Sequence, residues 1–426
     1  MSTSTTLHEH EVIGAQAISF EQKLDRLAEV AVRVGLGLAA GQELVMTSPL
    51  EALPLARRIT EHAYKAGAKL VTVLYADDEA TLARYRYAPD ESFDVAPAWL
   101  LEGVAAAYRS GAARLAITGA NPALLSKQDP EKVGRANKAL SKAMRPALDI
   151  ITRHEINWTI VAAATPAWAA LVFPNDDEPT AVAKLWEAIF ESTRINADDP
   201  IANWKQHAAN LQKRVNYLNS KRYYAIHFRG PGTDLRVGLA DDHLWCGGGG
   251  TAGNGIFGMA NMPTEEVFTT PHKDRVQGHV RSTKPLSHQG TLIKDIQVRF
   301  ESGRVIEAHA SEGEEVLHRM IDTDEGARKL AEVALVPHSS PIAQSGILFW
   351  NTLFDENAAS HIALGQSYST CLIGGEKMSP EELSVRGANE SLIHVDWMIG
   401  SGEMDIDGIR ADGGSEPLMR QGEWVS

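Results

Sequence analysis

The sequence predicts an α/β protein of two domains, an N-terminal α/β domain with a largely parallel sheet and a C-terminal mixed α+β domain. Three observations lead to this fold class. Segments of strand and helix composition alternate from residue 19 to about residue 220, which is typical of parallel strands connected by helices. Short strands and glycine-rich turns dominate from residue 221 onward. The chain has 426 residues, more than one hydrophobic core usually serves.

We therefore divide the chain into three parts. Residues 1–18 begin with a polar stretch and are expected to form a mobile tail. Residues 19–220 form the N-terminal domain and residues 221–426 the C-terminal domain. The boundary near residue 220 is where the helical pattern gives way to strand alternation.

Apolar residues three or four positions apart predict helices in the N-terminal domain, and short runs of β-branched and aromatic residues predict its strands. The first helix is expected over residues 20–38, followed by a strand at 43–47, a helix at 51–66 and a buried strand at 70–75. The later elements are a helix at 99–108, a strand at 115–118, a helix at 132–153, a strand at 159–164 and helices at 181–195 and 201–218.

The C-terminal domain begins with a predicted hairpin, made of strands at 223–228 and 235–239 around a Gly-Pro-Gly turn. A long strand is expected at 292–300, followed by a turn and a strand at 305–308. Such an antiparallel region holds side chains at fixed angles around a cavity.

Charge and composition exclude several classes of protein. The net charge of −14 argues against nucleic-acid binding, which needs a basic surface. The N-terminus lacks a basic segment followed by an apolar one, so no signal peptide is expected. No apolar run reaches the roughly 18 residues that span a bilayer. Cys246 and Cys371 lie far apart in the sequence and do not form a disulfide framework. We expect a cytoplasmic protein that binds neither nucleic acid nor membrane.

Four consecutive glycines, residues 247–250, resemble a phosphate-binding loop. Such a loop should follow a strand and open a helix, whereas this run continues into more loop. A mobile flap or a close approach of two backbone segments is the better interpretation.

Four segments of the C-terminal half carry polar residues that a fold does not require. The first contains Glu265 and Glu266 in a strand-like setting. Because neighbouring side chains of a strand point to opposite faces, only one of these two can face an interior. Two solvated carboxylates at a strand edge are the alternative.

The second segment, residues 323–337, surrounds Glu332 with apolar residues in a helical or mixed rhythm. A carboxylate in such surroundings is costly unless it is paired or binds a cation. A glutamate on a helix surface, facing water, is the alternative.

The third segment, residues 348–365, places Asp355, Glu356 and His361 within seven positions. The histidine alone could be a core or helix residue, and either acid could cap a helix.

The fourth segment has strand composition and contains His394 and Asp396, two positions apart. Both therefore point to the same face of a strand, together with Leu392, while Ile393, Val395 and Trp397 occupy the other face. An imidazole and a carboxylate on one strand make half of a metal site, although a polar edge strand is the alternative. Considered together, the four segments favour two divalent ions that share a bridging carboxylate.

Four motifs also carry a resemblance to a known family. The sequence reads NMPTEEVF at 261–268, ALVP at 334–337, NTLFDEN at 351–357 and HVD at 394–396. In this combination and order, the chain resembles the aminopeptidase T / aminopeptidase S family of metallopeptidases. Trp350 departs from the tyrosine that the resemblance would place there.

The resemblance implies an exopeptidase that removes N-terminal amino acids from peptides with a free N-terminus, by hydroxide attack from a two-metal site in the C-terminal domain. It implies a homodimer and two divalent ions per chain, which could be zinc, cobalt, manganese or magnesium. The metal ligands that it implies are Glu266, Glu332, His361, His394 and Asp396. Tyr368 and Glu356 take catalytic roles by the same resemblance.

Two other functions remain open. Another metal-dependent amide or ester hydrolase could use the same scaffold, and its substrates would include peptides with blocked N-termini. A non-catalytic binding protein with an acidic cleft would keep its function after a chelator removes metal.

Overall fold

A computed structural model describes residues 18–288 and 291–425 of the chain. The predicted mobile tail lies outside the described residues, apart from residue 18. In the described part of the chain, no helix is both long enough and apolar enough to cross a membrane.

The N-terminal part contains a four-stranded parallel sheet, as predicted. Its strands are β1 (Glu43–Pro49), β2 (Leu70–Ala76), β3 (Ala113–Thr118) and β4 (Trp158–Ala162), in the order β2-β1-β3-β4. The helices are α1 (Phe20–Val30), α2 (Leu53–Lys65), α3 (Asp78–Tyr87), α4 (Ala98–Arg109), α5 (Pro130–Thr152), α6 (Pro166–Val172), α7 (Glu178–Ser192) and α8 (Pro200–Lys221).

Two expectations for this part need correction. The first helix is shorter than residues 20–38, because after Val30 the chain continues as one π-helical turn, Ala31–Gly35. The strand at 70–75 was expected to be buried, yet β2 is the edge of the sheet, and Leu70 and Tyr75 are exposed. An apolar run alone does not distinguish an edge strand from a central one.

Antiparallel sheets follow from residue 225 onward. The strands are β5 (Ala225–Gly230), β6 (Thr233–Leu239), β7 (Gly250–Thr251), β8 (Phe257–Gly258), β9 (Val267–Thr269), β10 (Pro271–Arg281), β11 (Leu286–His288), β12 (Thr291–Ile293), β13 (Gln297–Glu301), β14 (Arg304–His309), β15 (Leu330–Leu335), β16 (His361–Gly365), β17 (His394–Met398), β18 (Asp405–Ile409), β19 (Ser415–Arg420) and β20 (Glu423–Trp424). The larger sheet has eight strands in the order β14-β13-β10-β6-β5-β18-β19-β20, and a four-stranded sheet has the order β17-β16-β15-β9. The helices of this part are α9 (Glu314–Ile321), α10 (Pro341–Ser345), α11 (Thr352–Asp355) and α12 (Pro380–Val385).

Two further predictions were wrong in this part. The long strand at 292–300 is divided into β12 and β13, because the backbone turns at Asp295, which has a positive φ of 51°. The segment with a helical or mixed rhythm before Pro337 is the strand β15, in which all six residues are buried. A strand buried on both faces has no alternation that would reveal it.

The hydrophobic core of the N-terminal part receives side chains from far along the chain. Phe349, Leu353 and Phe354 belong to the same cluster as Leu55 and Trp168. The indole Nε1 of Trp168 also donates a hydrogen bond to the backbone carbonyl of Phe349. The segment that precedes His361 therefore packs on the N-terminal core. The division of the chain into two domains at residue 220 stays a prediction.

Candidate metal centre

One face of the four-stranded sheet gathers the predicted site residues. Glu332 of β15 lies opposite Ala363 of β16, which in turn lies opposite Asp396 of β17. His394 lies opposite Gly365. Ala363 therefore lies between Glu332 and Asp396, and Gly365, on the same face of β16, lies beside His394. Both are small, so the side chains around them have room to converge.

The nitrogen and oxygen atoms of these side chains lie close together. His361 Nε2 is 3.1 Å from Glu266 Oε2 and 3.6 Å from Glu332 Oε1. His394 Nε2 is 3.6 Å from Glu332 Oε2 and 3.3 Å from Asp396 Oδ1. Two groups of three result, each with its ligand atoms within 4.8 Å of one another. They share Glu332, one of whose oxygens faces each histidine.

The backbone orients both imidazole rings. His361 Nδ1 lies 3.1 Å from the carbonyl oxygen of Ala359, and His394 Nδ1 lies 2.7 Å from that of Gln366. A carbonyl oxygen only accepts hydrogen bonds, so these contacts assign the proton to Nδ1 in each ring. Each Nε2 therefore faces the carboxylates, and in the neutral ring it carries the lone pair that a cation would bind.

The burial of Glu265 and Glu266 differs from the prediction. Their side chains do point in opposite directions, yet both residues are buried. Glu266 faces His361, whereas Glu265 pairs with Arg194 at 2.7 Å. The expectation that only one of them could face an interior was wrong, because helical segments of the N-terminal part cover the side to which Glu265 points.

The acids of the third segment have separate surroundings. Glu356 lies at the site, where its Oε1 accepts hydrogen bonds from the side-chain amides of Asn261 (3.4 Å) and Asn357 (3.5 Å). Asp355 is also buried, and it accepts hydrogen bonds from the backbone amides of Phe349 and Asn351. Asp355 therefore shapes the loop that leads to the site.

The site opens into a cavity of about 420 Å³ between the two parts of the chain. Tyr368 lines it, with its ring 4.8 Å from that of His394. The glycine run makes a close backbone approach, as expected, since a Cβ at Gly247 would stand 2.6 Å from the carbonyl oxygen of Glu266. Leu392 does not share the face of His394, because β17 begins only at His394 and Leu392 is exposed.

The sequence did not reveal several other residues that line the cavity. They include Ile151, Thr152, His154, Trp158, Gln212, Val215 and Trp245. These residues share no motif or spacing that could have identified them. Cys246 also lines the cavity, and its Sγ is 3.9 Å from that of Cys371. The two thiols are free. They lie close together in space although 125 residues separate them in the sequence.

Burial and mutual charge perturb the titration of the cluster. Burial, together with the charges of Asp396 and Glu266, raises the pKa of Glu332 to about 7. Burial lowers the pKa of His394, but the charge and hydrogen bond of Asp396 outweigh it and raise the value to about 10. For His361, the nearby carboxylates of Glu266 and Glu332 likewise outweigh the effect of burial and hold the pKa well above its ordinary value.

The donor set fits a divalent cation. Two Nε2 lone pairs and the carboxylate oxygens all attract positive charge, and among the described residues Glu266 Oε2 is buried without a hydrogen-bond partner. Facing lone pairs repel unless a proton or a cation lies between them. Imidazole and carboxylate ligands without thiolate suit zinc and similar divalent ions.

Comparisons with known proteins identify relatives that match nearly the whole chain. The chain is 54% identical over 407 residues to aminopeptidase T of Thermus thermophilus, a match that covers 96% of this chain and 99% of that protein. It is 46% identical to aminopeptidase AmpS of Bacillus subtilis, again over 96% of this chain and 99% of that protein. The solved structure of wild-type AmpT from Thermus thermophilus superposes with a TM-score of 0.91, covering 96% of this chain and all of the other.

The family profile of thermophilic metalloproteases, M29, matches residues 20–424. This match and the whole-length relatives confirm the resemblance that the four motifs carried. The protein therefore belongs to the M29 family of metalloproteases.

Proposed function

We propose that this protein is a metal-dependent aminopeptidase whose site holds two divalent ions. One observation carries the proposal: two groups of ligand-type side chains share Glu332 at their centre. Glu266 and His361 complete the first group, and His394 and Asp396 complete the second. A carboxylate has two oxygens, so Glu332 is the residue that would bridge the ions.

When bound, divalent ions at such a site lower the pKa of water and polarise a carbonyl oxygen. The protein's own contribution is to fix their positions. Backbone carbonyls orient the two imidazole rings, and strand pairing fixes Glu332 relative to Asp396. This preorganisation would hold the ligand atoms in place before a cation or a substrate binds.

Tyr368 would act on the substrate's carbonyl oxygen. Partial burial, together with the charges of Glu332 and Asp396, holds the pKa of Tyr368 well above its ordinary value. The phenol therefore keeps its proton and donates a hydrogen bond as negative charge develops on that oxygen. Its contact with His394 keeps it at the edge of the site.

Glu356 would move the proton to the leaving amine. It is buried next to the cluster, and two side-chain amides hold one of its oxygens. Held in this way, a carboxyl group can pass a proton between the attacking water and the amine that leaves. Its second oxygen could instead touch a cation.

The ligand-type side chains of the cavity support the preference for a free N-terminus. Glu266, Glu332, Glu356 and Asp396 all line the cavity. A free amine would offer its nitrogen as a ligand to a cation held there, whereas the amide nitrogen of an acetylated terminus has no available lone pair. Hydrolysis is thus expected one residue from the chain end.

The test combines metal analysis with substrate comparison. We expect up to two divalent ions per chain, hydrolysis of free dipeptides, and loss of activity on chelation. Acetylated dipeptides should remain intact. Hydrolysis of both sets at similar rates would favour the alternative of a broader amide or ester hydrolase, and full activity without metal would exclude both.

We also propose a homodimer, which rests on the resemblance to the family. Light scattering on the purified protein would measure the mass of the assembly against the chain mass of 46.3 kDa. The cytoplasmic location and the lack of nucleic-acid and membrane partners stay predictions.

A further inference from the structure

The carboxylate of Glu265 forms a buried ion pair directly behind the candidate metal centre. Its side chain is 4% exposed, and that of Arg194 is 13% exposed. Nη2 of Arg194 lies 2.7 Å from Oε1 of Glu265 and donates a hydrogen bond of 2.9 Å to Oε2. Arg194 comes from the N-terminal part, just after α7, and its backbone has a positive φ of 58°. A non-glycine residue in this conformation is uncommon and needs support from its surroundings.

Neighbouring side chains provide that support. The guanidinium of Arg194 lies over the ring of Trp204, 4.9 Å from its centroid. It also lies 3.2 Å from Nδ1 of His207, whose Nε2 is 2.8 Å from the carbonyl oxygen of Thr264. Arginine only donates and a carbonyl only accepts, so His207 is neutral, with its proton on Nε2. Arg194 thus holds Glu265 directly and Thr264 through His207.

The same stretch of backbone is held from the opposite side. The amide of Glu265 donates a hydrogen bond of 2.7 Å to Oδ1 of Asn357, which is fully buried. The side-chain amide of Asn357 donates in turn to the carbonyl oxygen of Leu353. Residues 264 and 265 are therefore fixed on two sides, immediately before Glu266.

We propose that Arg194, acting through Glu265, is a positioning residue that fixes Glu266 for metal binding. Adjacent side chains of an extended segment point in opposite directions, so locking one sets the direction of the next. The proposal rests on the metal-binding role proposed for Glu266. Residues that orient a ligand typically contribute about 10- to 100-fold in metal affinity.

The test measures the affinity of the metal-free protein for Zn²⁺, by competition with a chromophoric chelator. Glu265→Gln should weaken binding by about 10- to 100-fold. Arg194→Lys keeps the positive charge of the native residue but lacks the planar guanidinium. It should therefore weaken Zn²⁺ binding less than Arg194→Met does. Each melting temperature is recorded alongside, which keeps a loss of folding apart from a loss of affinity.

Asp407 provides the matched control. It is as buried as Glu265 and pairs with Arg229 and Arg420, but it lies on β18 in the larger sheet. Asp407→Asn should lower the melting temperature while leaving Zn²⁺ affinity unchanged. If Glu265→Gln behaves in the same way, with stability lost and affinity kept, the positioning proposal is wrong.

Glu266→Gln separates this failure from that of the proposed function. If it leaves Zn²⁺ affinity unchanged, the ligand assignment itself fails, and the positioning proposal fails with it. If Glu266→Gln weakens binding and neither Arg194 variant does, only the positioning proposal is overturned.

Discussion

Replacing Glu332 with glutamine removes one negative charge from the point where the two ligand groups meet. Its two oxygens lie 3.6 Å from the Nε2 atoms of His361 and His394. Glutamine has nearly the same shape and keeps one oxygen, but it cannot offer two anionic oxygens to two cations. We therefore expect Glu332→Gln to lose hydrolysis of an aminoacyl anilide while the protein stays folded.

The magnitude follows from charge and distance. Two unit charges 4 Å apart attract by about 4 kcal/mol at an effective dielectric constant near 20, so a divalent ion gains about 8 kcal/mol from one carboxylate. The remaining amide oxygen and the neighbouring ligands recover part of this. Even if only about 2 kcal/mol is lost, affinity falls roughly 30-fold, since 1.4 kcal/mol corresponds to tenfold.

The assay titrates metal into the metal-free variant and follows both bound metal and the melting temperature. Without metal, Glu332→Gln should be at least as stable as the native protein, because the pKa of Glu332 is raised to about 7 and the folded site therefore disfavours its charged form. With metal, the native protein should gain more stability than the variant. If the variant binds metal with native affinity and keeps full turnover, the bridging role is refuted.

Three other outcomes are expected. Tyr368→Phe should lower turnover by about 100- to 1000-fold with metal content unchanged, and native turnover would remove Tyr368 from the mechanism. Gly247→Ala should lower both metal affinity and melting temperature, because its Cβ would stand 2.6 Å from the carbonyl oxygen of Glu266. Gly255→Ala, also at positive φ but with open space around the new Cβ, should cost stability alone, and equal metal affinities in the two variants would contradict this reasoning. Chelation should lower the melting temperature, since a free metal concentration of 100 times the dissociation constant stabilises the folded protein by about 2.7 kcal/mol. An unchanged melting temperature would mean that metal does not bind the folded site.

Local periodicity predicted those parts of the site that lie on one strand. His394 and Asp396 are two positions apart, and alternation alone places them on the same face, where the structure has them within 3.3 Å. The parallel sheet was predictable for a similar reason. Each strand and each following helix carries its own pattern over a few residues.

The same reasoning failed wherever burial came from distant segments. The strand β15 has six buried residues, so the sequence around Glu332 showed no alternation and favoured a helical or mixed rhythm. Glu265 was expected on a solvated face because its neighbour faces the interior. Arg194, 71 residues earlier in the chain, covers that face, and no local pattern records such a contact.

The cavity wall shows the limit most clearly. Trp158 and Trp245 face the site from different parts of the chain, and neither belongs to a motif. Their positions follow from how α5, β4 and the glycine run pack together. The candidate metal ligands could be found by residue type, whereas the other residues that line the cavity could not.

The geometry of the sheet explains why five separated residues form one site. Neighbouring strands are about 4.8 Å apart, so Glu332 and Asp396, in one row across three strands, have backbones nearly 10 Å apart. Their side chains can meet only by leaning over the residue between them, which is Ala363. A bulky residue there would fill the space that the ligand atoms need. The small residue at this position therefore contributes to the candidate metal site as much as the proposed ligands do, although its type gives no sign of chemistry.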